Sequence, residues 1–221
     1  MIQLDGVTKV FSRGERALPV LRGITLQVPK GVFLSIMGPS GSGKSTLINL
    51  IAGLDVPTEG QIIIDGKPTE TLSDDAWTTL RGTKIGIVFQ FFNLLPTLSV
   101  IENVALPLQL QGINGPEVTQ RAKAWLQEVE LHHRGAHYPH ELSGGEQQRA
   151  AVARAMVHEP DILLADEPTG NLDTTRGREI VDLMRALTKK SGQTVVMVTH
   201  SHEAAAMADR TVTMIDGRLS S

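Results

Sequence analysis

The segment Gly38-Pro39-Ser40-Gly41-Ser42-Gly43-Lys44-Ser45 has the residue types and the spacing, G-x-x-x-x-G-K-[ST], of a phosphate-binding loop. Its glycines let backbone N–H groups approach phosphate oxygens without an intervening Cβ. Lys44 can reach the β- and γ-phosphates, and the hydroxyl of Ser45 can ligate Mg²⁺. Thr46 follows in a predicted helix whose positive end points at the same anion. The sequence therefore predicts a nucleotide site at this loop.

Two carboxylates and a histidine follow two other short apolar segments. Asp166 and Glu167 come directly after residues 162–165, and His200 follows Thr194–Thr199. Ligands of open α/β sheets bind beyond the carboxyl ends of the strands, so we expect these side chains beside the phosphate loop. We interpret Asp166 as a Mg²⁺ ligand and Glu167 as the general base for an attacking water. His200 could donate a hydrogen bond to the γ-phosphate or to that water.

Six short segments have the pattern of the strands that would position these residues. Three are almost continuously apolar, which is typical of strands buried on both faces of a parallel sheet: residues 32–37, 162–165 and 195–198. The other three predict an antiparallel β region near the N-terminus: residues 2–7, 24–28 and 61–64. The pair Asp65-Gly66 follows the last of these and is a strong hairpin signal.

Helices are predicted between and after these strands. One covers residues 44–52, and another follows Asp173, with apolar residues recurring at i, i+3, i+4 and i+7. From about residue 91 to residue 160 the pattern is helical only, with capping-box spacing at Ser99 and Glu102. The alternation of strands and helices predicts an α/β fold with a parallel sheet, into which a helical lobe is inserted.

The stretch Leu142-Ser143-Gly144-Gly145-Glu146-Gln147-Gln148-Arg149 begins a further predicted helix. Ser143 and Glu146 have the spacing of a capping box, which accounts for the helix start but not for the two glycines. Two glycines in a first turn cost up to ~2 kcal/mol of helix propensity relative to alanine. Bare N–H groups at Gly144 and Gly145 would suit an anion. The sequence therefore predicts a second anion site, far from the phosphate loop along the chain.

Taken together, these segments resemble the ATP-binding cassette (ABC) family of transport ATPases over essentially the whole chain. Residues 142–148 match the signature motif of that family. The other hallmarks occur in the order of the family: Gln90 in the Q-loop, Asp173 in the D-loop and His200 as the switch histidine. Phe11 stands where the family has an aromatic residue, usually tyrosine, that stacks on adenine; phenylalanine keeps the π face but lacks the hydroxyl.

This resemblance implies a P-loop NTPase fold and a shared ATP site. The chain would form one nucleotide-binding domain, with a RecA-like core at about residues 1–90 and 160–221 and a helical subdomain at about 91–159. In the family two subunits pair head to tail, and ATP with Mg²⁺ on one phosphate loop is covered by the signature helix of the other. For this chain the cover would be Ser143, Gly144, Gly145 and Glu146, with Asp173 beside them.

The roles that the resemblance assigns complete this site. Mg²⁺ would be held by Ser45, Gln90 and Asp166, and hydrolysis would use Glu167, His200 and Gln90. The partners implied are a second copy of the chain and integral membrane permease subunits, so the expected location is cytoplasmic, peripheral on the cytoplasmic face of the inner (plasma) membrane. Residues 89–96 and 102–104 are similar to the lipoprotein-release and macrolide-export branch, the LolD-like and MacB-like ATPases.

Composition disfavours other classes of protein. The chain of 221 residues carries 21 Lys plus Arg against 24 Asp plus Glu, a net charge of −3, so no broad cationic surface for nucleic acid is expected. Cysteine is absent, which excludes disulfides. The longest apolar run, residues 204–208, is far shorter than the roughly twenty residues of a spanning helix. A soluble ABC-type ATPase acting on DNA or ribosomes is the alternative function, but heptad insertions and a basic tail are lacking.

Three groups of residues have alternative interpretations. The apolar residues after Gln90 could contact the permease or belong to the core of the helical lobe, and the sequence leaves both open: Phe91, Phe92, Leu94 and Leu95. Four histidines lack nearby cysteine or carboxylate partners, so we interpret them as solvated loop residues rather than metal ligands: His132, His133, His137 and His140. Trp77 and Trp125 are expected to be packing residues.

Overall fold

The computed structural model describes residues 1–13 and 16–220 of the chain. Ten strands in two sheets and seven α-helices lie in that part. The N-terminal strands pair antiparallel, and strands of the second sheet alternate with helices along the rest of the chain. The predicted α/β class with an N-terminal antiparallel β region and an inserted helical segment is thus confirmed. None of the described helices is both long enough and apolar enough to cross a bilayer.

The first sheet is antiparallel and has the order β2-β1-β4-β5; its strands are β1 (Ile2–Arg13), β2 (Arg16–Val28), β4 (Glu59–Ile64) and β5 (Lys67–Pro68). Asp65 and Gly66 both have positive φ, 51° and 74°, and form the two-residue turn from β4 to β5 that the Asp-Gly pair predicts. The long β1–β2 ladder has register shifts between Leu4 and Val10. The apolar pattern at residues 2–7 and 24–28 therefore marked only part of each strand.

The second sheet has the order β10-β9-β3-β8-β7-β6; its strands are β3 (Phe33–Met37), β6 (Ile85–Val88), β7 (Ile162–Asp166), β8 (Thr194–Thr199), β9 (Arg210–Ile215) and β10 (Arg218–Ser220). All neighbours are parallel except β9 and β10. The strands β3, β8 and β7 are adjacent, so their carboxyl ends meet at one edge. This edge is where the phosphate loop, His200 and the two carboxylates begin.

The helices are α1 (Lys44–Ile51), α2 (Asp74–Lys84), α3 (Val100–Leu110), α4 (Pro116–Glu128), α5 (Gly144–Met156), α6 (Thr174–Ser191) and α7 (His202–Ala206). The predicted start signals are present. The carboxylate of Glu102 accepts a hydrogen bond from the backbone N–H of Ser99 at 2.8 Å, at the start of α3. Asp173 caps α6 by accepting from the N–H of Arg176 at 3.0 Å.

Two apolar cores lie on opposite faces of the parallel sheet. Alternate residues of β7 separate between them: Ile162 and Leu164 belong to the core under α1 and the antiparallel sheet, Leu163 and Ala165 to the core under α3–α6. The helices between residues 100 and 156 thus share a core with the sheet instead of forming a separate one. Trp77 and Trp125 pack against these two cores, as predicted.

Two elements before the Q-loop were not predicted. No residue of α2 is fully buried, and its apolar face is narrow, with Trp77 and Leu80 packed against the core, so its sequence signal is weak. The strand β6 is short and contains Gly86. A Cβ at Gly86 would lie 2.2 Å from the carbonyl oxygen of Ala155, so glycine is needed for α5 to pack this closely on β6.

Candidate functional site

The phosphate loop connects β3 to α1, and one side of it is packed against the protein. Gly38 N donates to the carbonyl oxygen of Thr199 at 3.3 Å, which ties the loop to the end of β8. Gly43 has φ 103°, and a Cβ there would lie 2.9 Å from Leu21 Cδ2, so this position requires glycine. A Cβ at Gly41, in contrast, would meet no described atom within 4 Å. The loop is therefore anchored on one side and open on the other.

The amine of Lys44 is directed into the curve of this loop. Its Nζ donates to the carbonyl oxygens of Gly38 at 2.8 Å and Pro39 at 2.9 Å, and lies 3.5 Å from Glu167 Oε1. The side chain is only 4% exposed. A buried ammonium needs acceptors or an anion, so this geometry is suited to a bound phosphate. The other assigned residues occupy the loop and the first turn of α1: Ser40 and Ser45 are exposed, Ser42 is buried and Thr46 is half-buried.

Ser45 and Asp166 form a pair of oxygen donors at the same edge. Ser45 Oγ donates to Asp166 Oδ1 at 2.8 Å. Burial raises the pKa of the Asp166 carboxyl, and the charge of Glu167 raises it further, although the Ser45 hydrogen bond opposes this. A divalent cation would relieve this unfavourable charge, and hydroxyl and carboxylate oxygens are ligands that Mg²⁺ accepts. The donor set therefore fits Mg²⁺.

Mg²⁺ usually takes its remaining ligands from water and phosphates rather than from an all-protein cage. Accordingly, among the described residues no three His, Cys, Asp or Glu side chains are arranged to hold a metal on their own.

Glu167 lies between Lys44 and His200. Its Oε1 is 3.5 Å from Lys44 Nζ, and its Oε2 is 2.5 Å from His200 Nδ1. The Glu167 backbone is left-handed, with φ 46°, and its N–H donates to Val198 O at 3.0 Å. Left-handed backbone at a residue other than glycine is strained and is found at functional sites. A carboxylate fixed in this way beside a phosphate loop can accept a proton from a water molecule.

Gln90 and the D-loop are in contact. Asn171 Nδ2 donates to the Gln90 carbonyl at 2.8 Å, and a Cβ on Gly170 would lie 2.8 Å from Gln90 Nε2. Within the described residues, no hydrogen bond joins the Gln90 side chain to Ser45 or Asp166. Gln90 thus lies against the loop that follows the two carboxylates, and its assignment as a Mg²⁺ ligand stays a prediction.

The signature helix also reaches this junction. A Cβ on Gly144 would lie 3.4 Å from Leu172 Cδ2 and 3.8 Å from Phe92 Cζ. Leu172 belongs to the D-loop, and Phe92 follows Gln90 in the Q-loop. The tip of α5 therefore packs on both loops, at a position where no described atom of the phosphate loop comes within 4 Å of that Cβ.

Arg154, on α5, holds the backbone after Gln90. Its guanidinium donates to the carbonyl oxygens of Asn93 at 2.6 Å and Phe92 at 2.8 Å. Both acceptors have left-handed backbone, with φ 60° for Phe92 and 52° for Asn93. Burial lowers the pKa of Arg154, so the cation stands in an environment that disfavours charge. No local sequence pattern predicts this contact, because the partners are more than sixty residues apart.

The predicted capping box at the start of α5 is present and has an additional partner. Glu146 Oε2 accepts from Ser143 N at 2.8 Å and from Ser143 Oγ at 2.7 Å. Glu146 Oε1 accepts from Arg134 Nε at 2.9 Å. These hydrogen bonds, led by that of the Ser143 hydroxyl, lower the pKa of Glu146 to about 2. Arg134 was not among the predicted site residues.

Phe11 and Asp173 are the remaining candidates, and Asp173 lines the same cleft as His200. Phe11, on β1, is 40% exposed opposite Leu18 of β2, and Lys9 Nζ lies 4.9 Å from its ring centroid. An aromatic ring that is partly exposed suits stacking on a base. Asp173 is exposed, and its carboxylate caps α6.

The apolar residues after Gln90 divide between the two interpretations left open. Leu94 packs against the core, and Phe92 lies half-buried beside the tip of α5. Phe91 and Leu95 are exposed, Phe91 by 69%. Core packing therefore accounts for Leu94, Phe92 lies beside the α5 tip, and the other two are on the surface.

Comparison with known proteins identifies relatives of the whole chain. A family model described as "ABC transporter" matches residues 21–170. An uncharacterised ABC transporter ATP-binding protein of Methanocaldococcus jannaschii, MJ0796, is 47% identical over 99% of this chain and 95% of its own length. A lipoprotein-releasing system ATP-binding protein LolD of Shewanella frigidimarina is 44% identical over 99% of this chain and 92% of its length.

Longer and structurally characterised proteins are also similar. The macrolide export ATP-binding/permease protein MacB of Brucella melitensis is 44% identical over 99% of this chain, which corresponds to 34% of MacB. A dimeric structure of the MJ0796 cassette superposes with a TM-score of 0.93 over 100% of this chain and 97% of that chain, at 45% identity. A second dimeric structure, a post-hydrolysis state bound to ADP and phosphate, gives the same TM-score at 44% identity and the same coverage.

Proposed function

The chain belongs to the ABC transporter family as an ATP-binding and ATP-hydrolysing cassette, and from that premise we propose that two copies enclose two ATP–Mg²⁺ at shared sites and drive a membrane permease. The observation that carries the proposal is the contact of Glu167 with both Lys44 and His200 at the edge where β3, β8 and β7 end. This arrangement provides a phosphate-binding amine, a proton acceptor and a hydrogen-bonding imidazole around one point.

Hydrolysis at this point uses groups of the chain itself. Lys44 and the loop N–H groups bind the β- and γ-phosphates, and Ser45 and Asp166 would hold Mg²⁺, which neutralises phosphate charge. Glu167 accepts a proton from a water molecule as that water attacks the γ-phosphorus, and the bond to the β,γ-bridging oxygen breaks to leave ADP and phosphate. His200 donates a hydrogen bond that orients the γ-phosphate or the water.

The shared site explains why the chain has two anion-binding features. Gly41 faces open space on the phosphate loop, and the exposed Ser143 lies at the tip of α5, which packs on Leu172 and Phe92. We propose that Ser143, Gly144, Gly145 and Glu146 of one copy, with Asp173 beside them, cover the nucleotide of the other. The dimeric structures of the MJ0796 cassette support this arrangement. Phe11 would stack on the adenine of its own copy.

A permease would dock on the groove beside the Q-loop. The groove lies between α2 and β6 on one side and α3 and α5 on the other, and is lined by Phe89, Leu106 and Leu110, the last 79% exposed. Phe91 and Leu95 are exposed nearby in sequence. We propose that permease subunits of the export or lipoprotein-release type bind there, as the names LolD and MacB suggest.

This docking would hold the chain on the cytoplasmic face of the inner membrane. Residues at about 91–159 would act as the helical subdomain that carries the docking groove, and residues 1–90 and 160–221 as the RecA-like core. An ATPase that acts on DNA or ribosomes is not favoured, because the net charge of −3 offers no general attraction to phosphate backbones.

The variant Glu167→Gln tests the proposal. It keeps a side chain that can hydrogen-bond to His200 but cannot accept a proton, so we expect turnover to fall by about 10²–10⁴-fold with ATP binding retained. Light scattering with saturating ATP and Mg²⁺ should then show a dimer, and the nucleotide-free variant should be monomeric. Glu117→Gln, which changes an exposed carboxylate on α4, is the matched control.

Three results would contradict the proposal. Parental turnover in Glu167→Gln would show that Glu167 is not the general base. A variant that stays monomeric under saturating ATP would show that the site is not shared between two copies. Strong, salt-sensitive DNA binding together with failure to co-purify with a membrane protein would favour the alternative function.

A further inference from the structure

In the proposed shared site, the negatively charged side chain of Glu146 lies next to the place where a phosphate must bind. Among the described residues, the N–H groups of Gly144 and Gly145 have no hydrogen-bond acceptor, and the positive end of the helix dipole favours a phosphate there. Glu146 is the third residue of that helix, and its pKa of about 2 keeps it ionised at neutral pH. A carboxylate this close repels an incoming phosphate, and it already accepts the hydroxyl proton of Ser143, which belongs to the proposed anion site.

The carboxylate is already fully engaged within its own chain. One oxygen receives the N–H and the hydroxyl of Ser143, and the other receives Arg134 Nε at 2.9 Å. The Glu146 side chain is 15% exposed and that of Arg134 34%. The ion pair is therefore partly shielded, which makes its charge compensation stronger than that of a fully exposed pair.

Arg134 is fixed by its surroundings. It ends the short 3₁₀-helix His132–Arg134, and its guanidinium lies 3.3 Å from His137 Nε2. The following loop is pinned to the start of α3 by the bond from Ile101 N to Gly135 O at 2.9 Å. A guanidinium held this way loses little freedom when it pairs with a carboxylate.

We propose that Arg134 is a positioning residue of the shared ATP site: it compensates the charge of Glu146 and turns that carboxylate into the chain, so that the α5 tip can receive the γ-phosphate of the partner's ATP. The inference rests on the proposed function. The Ser143 hydroxyl donates a hydrogen bond to Glu146 at 2.7 Å, and it would donate to the phosphate instead when the partner's ATP is bound. Glu146 then keeps Arg134 as its compensating partner.

The test measures ATP-dependent pairing in the Glu167→Gln background. Arg134→Ala should leave ATP binding by the monomer unchanged, because Arg134 contacts the signature helix and not the phosphate loop. It should raise the dimer dissociation constant at saturating ATP by about 5- to 30-fold, since each dimer loses two partly shielded charge pairs. Arg185→Ala, which removes a half-exposed pair with Asp209, is the matched control and should change neither quantity.

Rescue separates charge compensation from a loss of structure. The substitution Glu146→Gln keeps the geometry of a capping box but removes the charge. Adding Glu146→Gln to Arg134→Ala should therefore restore dimerisation to within about threefold of the value for Glu146→Gln alone. Thermal melting of each variant establishes that it is folded.

The outcomes distinguish the two proposals. If the Glu167→Gln variant does not dimerise in the presence of ATP, the proposal of a shared site is wrong, and the proposed role of Arg134 is wrong with it. If Glu167→Gln pairs and Arg134→Ala pairs equally well, only the role of Arg134 is wrong. The role is also wrong if Arg134→Ala weakens nucleotide binding by the monomer to the same extent, or if Glu146→Gln does not restore pairing.

Discussion

Replacing Arg154 with methionine should destabilise the segment after Gln90 and slow hydrolysis. Methionine has a similar length and no charge, so it fills the space without donating hydrogen bonds. The affected segment includes Phe92 and Asn93, whose carbonyl oxygens Arg154 holds and whose backbones are both left-handed. Left-handed backbone costs roughly 1–2 kcal/mol per residue, so the segment relaxes once the guanidinium is removed.

The size of the effect follows from these contacts. Two hydrogen bonds from a charged donor are lost, at 2.6 Å and 2.8 Å, and each contributes about 1.5–3 kcal/mol. Burial of the cation, which lowers the pKa of Arg154, offsets part of that gain. We therefore expect the free energy of unfolding to fall by about 2–4 kcal/mol. For a chain of this length the melting temperature should fall by roughly 4–16 °C.

Two measurements check this prediction. Thermal melting gives the loss of stability, and steady-state hydrolysis should show kcat about tenfold lower, because a loosened Gln90 no longer lies in place beside the D-loop. Arg121→Met is the control: Arg121 donates one hydrogen bond to a carbonyl, that of Val157, at 3.1 Å, so its loss should cost about half as much, roughly 1–2 kcal/mol.

Two outcomes would refute the reasoning. A melting temperature within about 2 °C of the parent would mean that the two carbonyl contacts contribute almost nothing. If the melting temperature of Arg154→Met falls as expected but its kcat equals that of the parent, Arg154 stabilises the fold without positioning Gln90.

Two further predictions concern charges at the site. Lys44→Ala should weaken ATP binding about tenfold to hundredfold in calorimetry, because it removes the ammonium that faces the phosphates, and Lys30→Ala, at an exposed position, should not; full affinity in Lys44→Ala would contradict the role of Lys44. The pKa of Glu146 is depressed to about 2, so its contribution to stability is complete above its ordinary pKa of 4.5 and is lost as the pH falls towards 2. The denaturation midpoint of the parent should therefore exceed that of Glu146→Gln at pH 6 and converge on it below pH 4.5; a constant difference would contradict this assignment.

The parts of the site that depend on short stretches of sequence were predictable. The phosphate loop needs glycines at fixed spacing, because Gly43 packs tightly against Leu21 with positive φ. The capping boxes at Ser99 and Ser143 require only residues three positions apart. The buried strands β3, β7 and β8 are apolar on both faces, and their adjacency in the sheet brings together the residues that follow them.

The contacts that connect the motifs were not predictable. Arg134 reaches Glu146 only because a loop folds back onto α3, and Arg154 reaches Phe92 only because α5 crosses β6 at Gly86. Neither arginine stands in a pattern that differs from an ordinary surface position. Helix α2 was missed for a different reason: none of its residues is fully buried, and its apolar face is narrow, with Trp77 and Leu80 packed against the core.

The contact of Gly144 with Leu172 and Phe92 has a consequence for how a pair of these subunits would work. In the proposed pair, the α5 tip contacts the nucleotide bound to the partner subunit. Phe92, in contrast, follows Gln90, which would contact the nucleotide bound to its own subunit. A single layer of side chains inside each protomer thus separates residues that sense different nucleotides. ATP bound at one site of the proposed pair would affect the other through this layer of side chains, so we expect the two sites to hydrolyse ATP cooperatively rather than independently.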